Sequence, residues 1–377
     1  MDIDIREVKT SKDLKNFIWF GINLYINDKF ATPTLFFDEK TNLSKKKNPA
    51  FEFCDTIMFL AYKDEKIVGR IMGIINPVAN KTWNSKYARF GWIEFIDDYE
   101  VSKALLDSVT NWAKSKGMEH LQGPMGFTDF DPEGMLVEGF DKFGTLVGIY
   151  NYPYYPEHLE KHGFTKDIDW KEYYIKIPEE VPEKFIQAAR IAKERYKLSY
   201  AKLKSLKDLS KRYGYKLFDL INICYKDLYQ YSELNKKQIE FYIKMYLGFL
   251  RFDTISLIVD ENDQLISFGI TIPSLTKALQ KAKGRVFPFG WFYLLRALRK
   301  SEVIDFYLVA VHPDYQNKGV NAMLFADLIP KYNKCGFKYA ESNPELETNL
   351  KVSSQWKSFD HETHKRRRVY IKKLTID

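Results

Sequence analysis

The order of its elements constrains this chain most. A strand, helices, a hairpin, a strand, a helix and a strand follow one another in the first half, and the order returns in the second. In the first half, "IDIREVKTSKDLKNFIWFGINLYIND" reads as a strand and then a helix with Thr10 or Ser11 as N-cap. "TIMFLAYKDEKIVGRIMGII" reads as a hairpin turning at Lys63, Asp64 and Glu65, and "RFGWIEFI" as a strand. "EVSKALLDSVTNWAKSKG" is an amphipathic helix with Val101, Leu105, Val109 and Trp112 on one face, stopped by Gly117. "HLQGP", "YYPEHLEKHGF" and "WKEYYIKI" add a strand, a short helix and a strand. In the second half the strands are "LSYAKLKS", "VIDFYLVAV", "KYAES" and "RRVYIKKL", and "TISLIVDENDQLISFGITI" is the hairpin. "LSKRYGYKLFDLINICYKDL", "KKQIEFYIKMYLGFLRF" and "GVNAMLFADLIPKYNKCG" are helical. A chain of 377 residues exceeds what one core usually holds. The reading is therefore two tandem α/β (α+β) units with mixed sheets, 1–178 and 179–377, joined in "IPEEVPEK".

Composition is that of a folded protein, 45% hydrophobic and 29% charged, and the 16% aromatic content calls for large buried clusters or a pocket for an apolar ligand. The net charge of +8 fits a nucleotide cofactor, a membrane surface or RNA and selects none of them. Cys54, Cys224 and Cys335 lie far apart, without a C-x-x-C pair or a disulfide framework, so a reducing compartment is expected. The N-terminus does not read as a signal peptide, and no run of about 18 apolar residues offers a membrane span. A cytoplasmic location follows.

The stretch "VIDFYLVAVHPDYQNKGVNAMLF" carries the most chemistry. A strand apolar on both faces ends at Pro313, and after Gly319 the residues Val320, Met323, Leu324 and Leu328 take helical spacing. A strand feeding a Gly-containing turn into a helix start is an anion site in form, because free backbone N–H groups and the positive dipole end converge there. Lys318 and Lys331 add positive charge. Alone, such a turn is more often only a turn. In context, strand–Q-x-x-G-x-[G/A]–helix after a hairpin resembles the acyl-CoA motif of the GNAT acyltransferase superfamily. The resemblance spans nearly the whole chain as a tandem of two such domains.

That resemblance implies acetyl-CoA or a longer acyl-CoA as donor, with the turn holding the pyrophosphate and the strand pairing with pantetheine. Val309, Ala310, Val311, Gln316, Asn317, Lys318, Gly319, Val320 and Asn321 would contact it, with Asn349 at the family's usual Asn. Asn321 departs from the small residue expected at its position, and Trp356 stands where many members carry a Tyr that protonates the leaving thiolate. In the first half Asp97, Asp98 and Glu100 replace the motif and would repel a pyrophosphate, so that unit is expected to lack the site. The segments "FLAYKDEKIVGRIMGI", "GPMGFTDFDPEGMLVEGF" and "YNYPYYPEHLEKHGF" look like a bacterial group of tandem proteins, some linked to N-acylation of long-chain bases.

The acceptor is then a small-molecule or lipid amine. Asp131, Glu133, Tyr150, Asn151, Tyr154 and Tyr155 are the candidate lining, with domain packing the competing role for the tyrosines. Candidate bases are Glu341 and Glu94, each of which also reads as a salt-bridged strand-end carboxylate. No metal is expected: His-x-x-His at His361 and His364 has no further Cys or His nearby. Residues 274–300 are an insert where the family has a short link; basic and aromatic residues over 277–300 suit either contact with an anionic membrane or a helix pair packed on the protein. The leading expectation is an acyl-CoA N-acyltransferase. The alternatives are a non-catalytic CoA- or ligand-binding protein and a Fem-like aminoacyl transferase. Nucleic acid is not an expected partner, since no basic stripe with interleaved aromatics lies outside the insert.

Overall fold

Alternating apolar residues and tight turns give the described residues fourteen strands. The first half holds β1 (Asp4–Glu7), β2 (Asp55–Lys63), β3 (Lys66–Ile75), β4 (Tyr87–Phe95), β5 (His120–Gly123), β6 (Met135–Glu138) and β7 (Thr165–Lys176). The second holds β8 (Ser199–Tyr200), β9 (Ile255–Val259), β10 (Leu265–Pro273), β11 (Val303–Val311), β12 (Tyr339–Glu341), β13 (Glu345–Leu346) and β14 (His361–Lys373). This computed structural model describes residues 2–246 and 250–375. The part of the expected "KKQIEFYIKMYLGFLRF" helix at 247–249 lies outside the described residues; Lys236–Tyr246 is helical.

The β2–β3 hairpin turns on Asp64 and Glu65, both at positive φ, as a two-residue turn that matches strand twist requires. Helix Ser11–Leu24 begins with a capping box in which Thr10 and Asp13 serve each other. Helix Tyr99–Ser115 buries Val101, Leu105 and Val109, and helix Val320–Cys335 buries Val320, Met323, Leu324 and Leu328. Both follow the expected spacing. Three expected strands differ in extent, one being β7, which begins at Thr165 rather than Trp170; β6 and β13 are additional. "LSYAKLKS" narrows to Ser199–Tyr200, at the sheet's edge with β9 as its neighbour. The last strand begins at His361 rather than Arg367, because carboxylates of β7 receive its charged residues.

All fourteen strands form one mixed sheet in the order β1-β2-β3-β4-β5-β14-β7-β12-β11-β10-β9-β8, with β6 on β14 and β13 on β7. The two halves exchange their last strands. β14, the end of the chain, lies beside β5 of the first half, and β7 of the first half lies beside β12 of the second. The joint at 178–182 follows β7 and precedes helix Glu183–Arg195.

Charge fixes this seam. Glu172 of β7 is fully buried and meets Arg367 and Lys365 of β14, the latter at 2.9 Å. Lys365 also bonds Glu341 at the end of β12, so one ammonium ties three strands. Next to it, Asp169 takes Arg368 at 2.8 Å and Lys166 at 3.1 Å. Burial alone would raise the Glu172 carboxyl, but Arg367 and Lys365 bring it down to about 2. A depressed carboxylate stabilises the fold above its unfolded value near 4.5, and that contribution is lost as pH falls toward 2. Glu172→Ala, which strips buried Arg367 of its carboxylate and leaves Lys365 with Glu341 alone, is expected to cost about 3–5 kcal/mol in denaturant unfolding at pH 7. Its deficit relative to wild type should shrink as the pH is lowered from 4.5 toward 2.

Candidate active site

β11 and β12 run parallel over only three residue pairs, 303–305 with 339–341, and then diverge. A cavity of about 1010 Å³ opens into that wedge. The second half supplies residues 306–309 of β11, Asn321 and Leu324 of the following helix, and Glu345, Asn349 and Trp356 beyond β12. The first half supplies, in part, the segment 34–52, which includes helix Phe36–Asn42, and the loop 129–133. Leu275, Leu279 and Leu294 of the insert close another wall.

The equivalent wedge in the first half is shut. β4 and β5 also pair over three residues before parting. There, Met125 N–H donates to the Phe90 carbonyl at 2.8 Å. A Cβ on Gly91 would sit 2.5 Å from the Met125 carbonyl, so the backbones close the gap directly. Tyr154 donates to the Phe95 carbonyl at 2.6 Å, and the Phe95 N–H donates to the Tyr155 hydroxyl at 2.9 Å.

The helix starts differ in the same sense. Asp98 caps helix Tyr99–Ser115 by accepting from Glu100 N–H at 3.0 Å, and Lys63 neutralises it at 2.7 Å. In the second half Gly319, at φ 79°, is the N-cap of helix Val320–Cys335 and offers no side-chain acceptor. Gln316, Asn317 and Lys318 are exposed beside it. Lys331 is not part of this turn: it is bound to Asp327 at 2.6 Å and to the Ile255 carbonyl. Val309 lines the cavity, and its carbonyl accepts from Tyr225 at 2.9 Å. The Val311 carbonyl accepts from the Cys224 thiol, and that of Ala310 turns toward β10, where Ser267 donates to it at 2.8 Å.

Several expected residues stand elsewhere. Tyr150, Asn151, Tyr154 and Tyr155 do not line the cavity. Tyr154 and Tyr155 fill the first-half wedge, Asn151 clamps both backbone groups of Leu136 (2.7 and 3.0 Å), and Tyr150 packs edge-on against Tyr25. Glu341 and Glu94 do not line it either. Glu341 accepts from Lys365 and from His364 at 3.1 Å, and Glu94 accepts from Arg70 at 2.5 Å. A carboxylate tied to a buried cation is a poor base, since protonating it would strand that cation. Among the described residues the grouping with metal-ligand spacing is Glu172, Glu341 and His364, within 4.8 Å of one another. Lys365 already bonds both of its carboxylates.

The acids lining the cavity are Asp38, Glu39, Glu52, Asp129, Asp131, Glu133, Glu240 and Glu345. Of these, Asp131 and Glu133 are legible from the acid-rich "DFDPEGM" loop. Asp129 and Glu345 are not singled out by sequence; the signal available was a carboxylate beside Phe130 in that loop, and another next to Pro344. Burial pushes Asp129 up to about 7, with Arg89 opposing and Asp131 adding to the rise. Burial raises Glu133 well above the usual carboxyl range. One oxygen of each, Asp129 Oδ1 and Glu133 Oε1, is buried without a partner. Burial also pushes Glu345 up to about 8, against the opposing hydrogen bond from Trp356.

The comparisons with known proteins match this fold. A tandem GNAT protein from the clavulanic acid biosynthesis pathway superposes with a TM-score of 0.57 over 99% of each chain, at 10% identity. The fold is that of a tandem GNAT protein. Among curated proteins, the chain is 25% identical to Protein YghO of Escherichia coli, over 98% of this chain and 95% of that one. It is 26% identical to the bacterial ceramide synthase of Caulobacter vibrioides, over 80% of this chain and 78% of that protein. No family model matches the chain.

Asp129 gives a stability test of the cavity. A carboxyl held at about 7 in the fold and near 3.8 when unfolded keeps its proton while the unfolded chain loses it. The native state is thus disfavoured progressively as pH rises from about 4 to 7. Asp129→Asn should remove this loss. Its unfolding midpoint relative to wild type is expected to rise between pH 5 and pH 8.

Proposed function

We propose that this protein is an acyl-CoA-dependent N-acyltransferase whose acceptor amine is carried on a long apolar chain. The observation that supports it is the cavity. It joins an open GNAT wedge to a chamber larger than a compact polar amine needs, with acids at one part of its wall and leucines of the insert at another. The relative called a ceramide synthase agrees with an amphipathic acceptor.

Acyl-CoA supplies the acyl group as an activated thioester. The turn at 316–321, with its uncapped helix start, fits a pyrophosphate. Val309 presents its backbone at the wedge, beside Ala310 and Val311, and Asn349 lines the same chamber. Tyr225 and Cys224 must yield the carbonyls of Val309 and Val311 for a pantetheine arm to pair there. The partly protonated pair Asp129 and Glu133, with Asp131, provides a site for the acceptor's nitrogen. The amine then attacks the thioester carbonyl directly, and the Val309 N–H polarises that carbonyl.

The insert supplies a route from a membrane. Its inner face, Leu279 and Leu294, lines the chamber. Its outer face bears Phe287, Phe289 and Trp291, which are 77%, 66% and 45% exposed, beside Arg285, Arg296 and Arg299. No helix among the described residues is long and apolar enough to cross a membrane, so contact would be peripheral.

Thiol release from acetyl-CoA and palmitoyl-CoA with short and long alkylamines tests the reading. The expected result is turnover with a long-chain amine. CoA binding without release from any pair would replace this reading with that of a ligand-binding protein, which Trp356 in place of a tyrosine acid favours. Gly319 is a poor place to probe the turn, because a Cβ there would lie 2.9 Å from the Ala188 carbonyl. Lys318→Glu, at an exposed site, should weaken CoA binding by tenfold or more with an unchanged melting temperature. Replacing Phe287, Phe289 and Trp291 together by Ser should abolish sedimentation with phosphatidylglycerol vesicles, while release from soluble amines persists.

A further inference from the structure

Trp356 stands where the related acyltransferases place a proton-donating tyrosine, and an indole cannot fill that role. Its surroundings hold a group that can exchange a proton. Trp356 is 3% exposed and packs on Phe306, the first β11 residue beyond the pairing with β12, with ring centroids 5.5 Å apart. Its Nε1–H donates at 2.8 Å to Oε1 of Glu345. The other oxygen, Oε2, is buried and has no hydrogen-bond partner. Both side chains line the cavity. Two residues before Glu345, Asn343 donates through its side chain to the Tyr307 carbonyl and so pins the segment to the wedge. β13, which contains Glu345, is held from the other side by β7.

We propose that Glu345 is the catalytic proton carrier of this site and that Trp356 is the residue that positions it. This rests on the acyltransferase reading. The carboxylate takes the proton that the attacking amine nitrogen sheds as the C–N bond forms. As a carboxylic acid it returns that proton to the sulfur as the C–S bond breaks. Amine and thioester become amide and thiol, and Glu345 ends as it began. The single indole hydrogen bond suits both stages: it fixes one oxygen and leaves the other to exchange a proton.

The charge environment agrees. Among the described residues no salt bridge holds Glu345. Tyr173 of β7 faces it, with its hydroxyl raised first by burial and then by Glu345. Lys171 of β7 is its register partner, and neither a hydrogen bond nor an ion pair joins the two. Burial places the carboxyl at about 8, close to the ordinary thiol value of about 8.5, so the proton moves between groups of similar affinity. Glu341, four residues earlier, has the same side chain and is disqualified by Lys365.

The test compares wild type, Glu345→Gln and Trp356→Phe by thiol release from palmitoyl-CoA with dodecylamine from pH 6 to 10, alongside CoA binding and melting temperature. Gln keeps an acceptor for the indole, so the fold and CoA affinity are expected to persist. Its rate should fall by about 10²–10⁴, and the wild-type limb near pH 8 should vanish. Trp356→Phe removes the bond that positions the carboxyl and lowers its proton affinity, so its rate should fall, though less than that of Glu345→Gln, with the limb displaced to higher pH. A structural pair would instead show a lower melting temperature and an unmoved limb. Wild-type turnover with an unimpaired Glu345→Gln enzyme would overturn this assignment and leave the acyltransferase reading intact. Absence of wild-type release with any donor and amine would overturn the acyltransferase reading itself.

Discussion

The ion network around Glu172 is the interaction on which the rest depends. Arg367 and Lys365 reach it from β14, and Lys365 passes on to Glu341 of β12. Each of these side chains is nearly or wholly withdrawn from solvent. Such a network adds little net stability compared with well-packed apolar residues, but it punishes any register that leaves a charge alone. A one-residue slip of β14 against β7 would turn Lys365 and Arg367 to the opposite face. The seam therefore specifies how the halves meet, and with them where the two wedges lie.

Within that frame, the same wedge geometry occurs twice with two outcomes. In the first half, Met125 and the hydroxyls of Tyr154 and Tyr155 use up the backbone groups that the wedge exposes, and Asp98 uses up the helix start. In the second, Gly319 leaves its helix uncapped, and β11 borders a chamber. The first half has become the wall against which the second half's site is built. It contributes the 129–133 acids and part of the 34–52 loop. Neither half encloses the chamber by itself.

Local patterns were legible in the sequence. The β2–β3 hairpin, the buried β11 strand and the faces of helices Tyr99–Ser115 and Val320–Cys335 depend on neighbours a few residues away. So did the contrast between Asp98 and Gly319, since a cap is written within one turn. What escaped depends on partners distant in the chain. The partners of the basic run at 365–368 are not legible, because Glu172 and Asp169 lie about two hundred positions earlier. Glu341 and Glu345 cannot be ranked as bases from sequence, because the difference is the lysine bound to one and the indole bound to the other. The tyrosines at 150, 154 and 155 were grouped with the acceptor for their chemistry, when their hydroxyls serve the first-half backbone.

The exchange of β7 and β14 also orders events in time. β14 is synthesised after every other described strand, yet it is the neighbour that β5 requires. While the chain is still growing, β5 and the strands before it present an unfilled edge for as long as the second half takes to emerge. Completion of the oldest part of the sheet awaits the newest, over a sequence separation of some 250 residues, as between Gly123 and Tyr370. Such distant closure makes for slow folding. Truncation near the C-terminus would therefore injure the N-terminal half first.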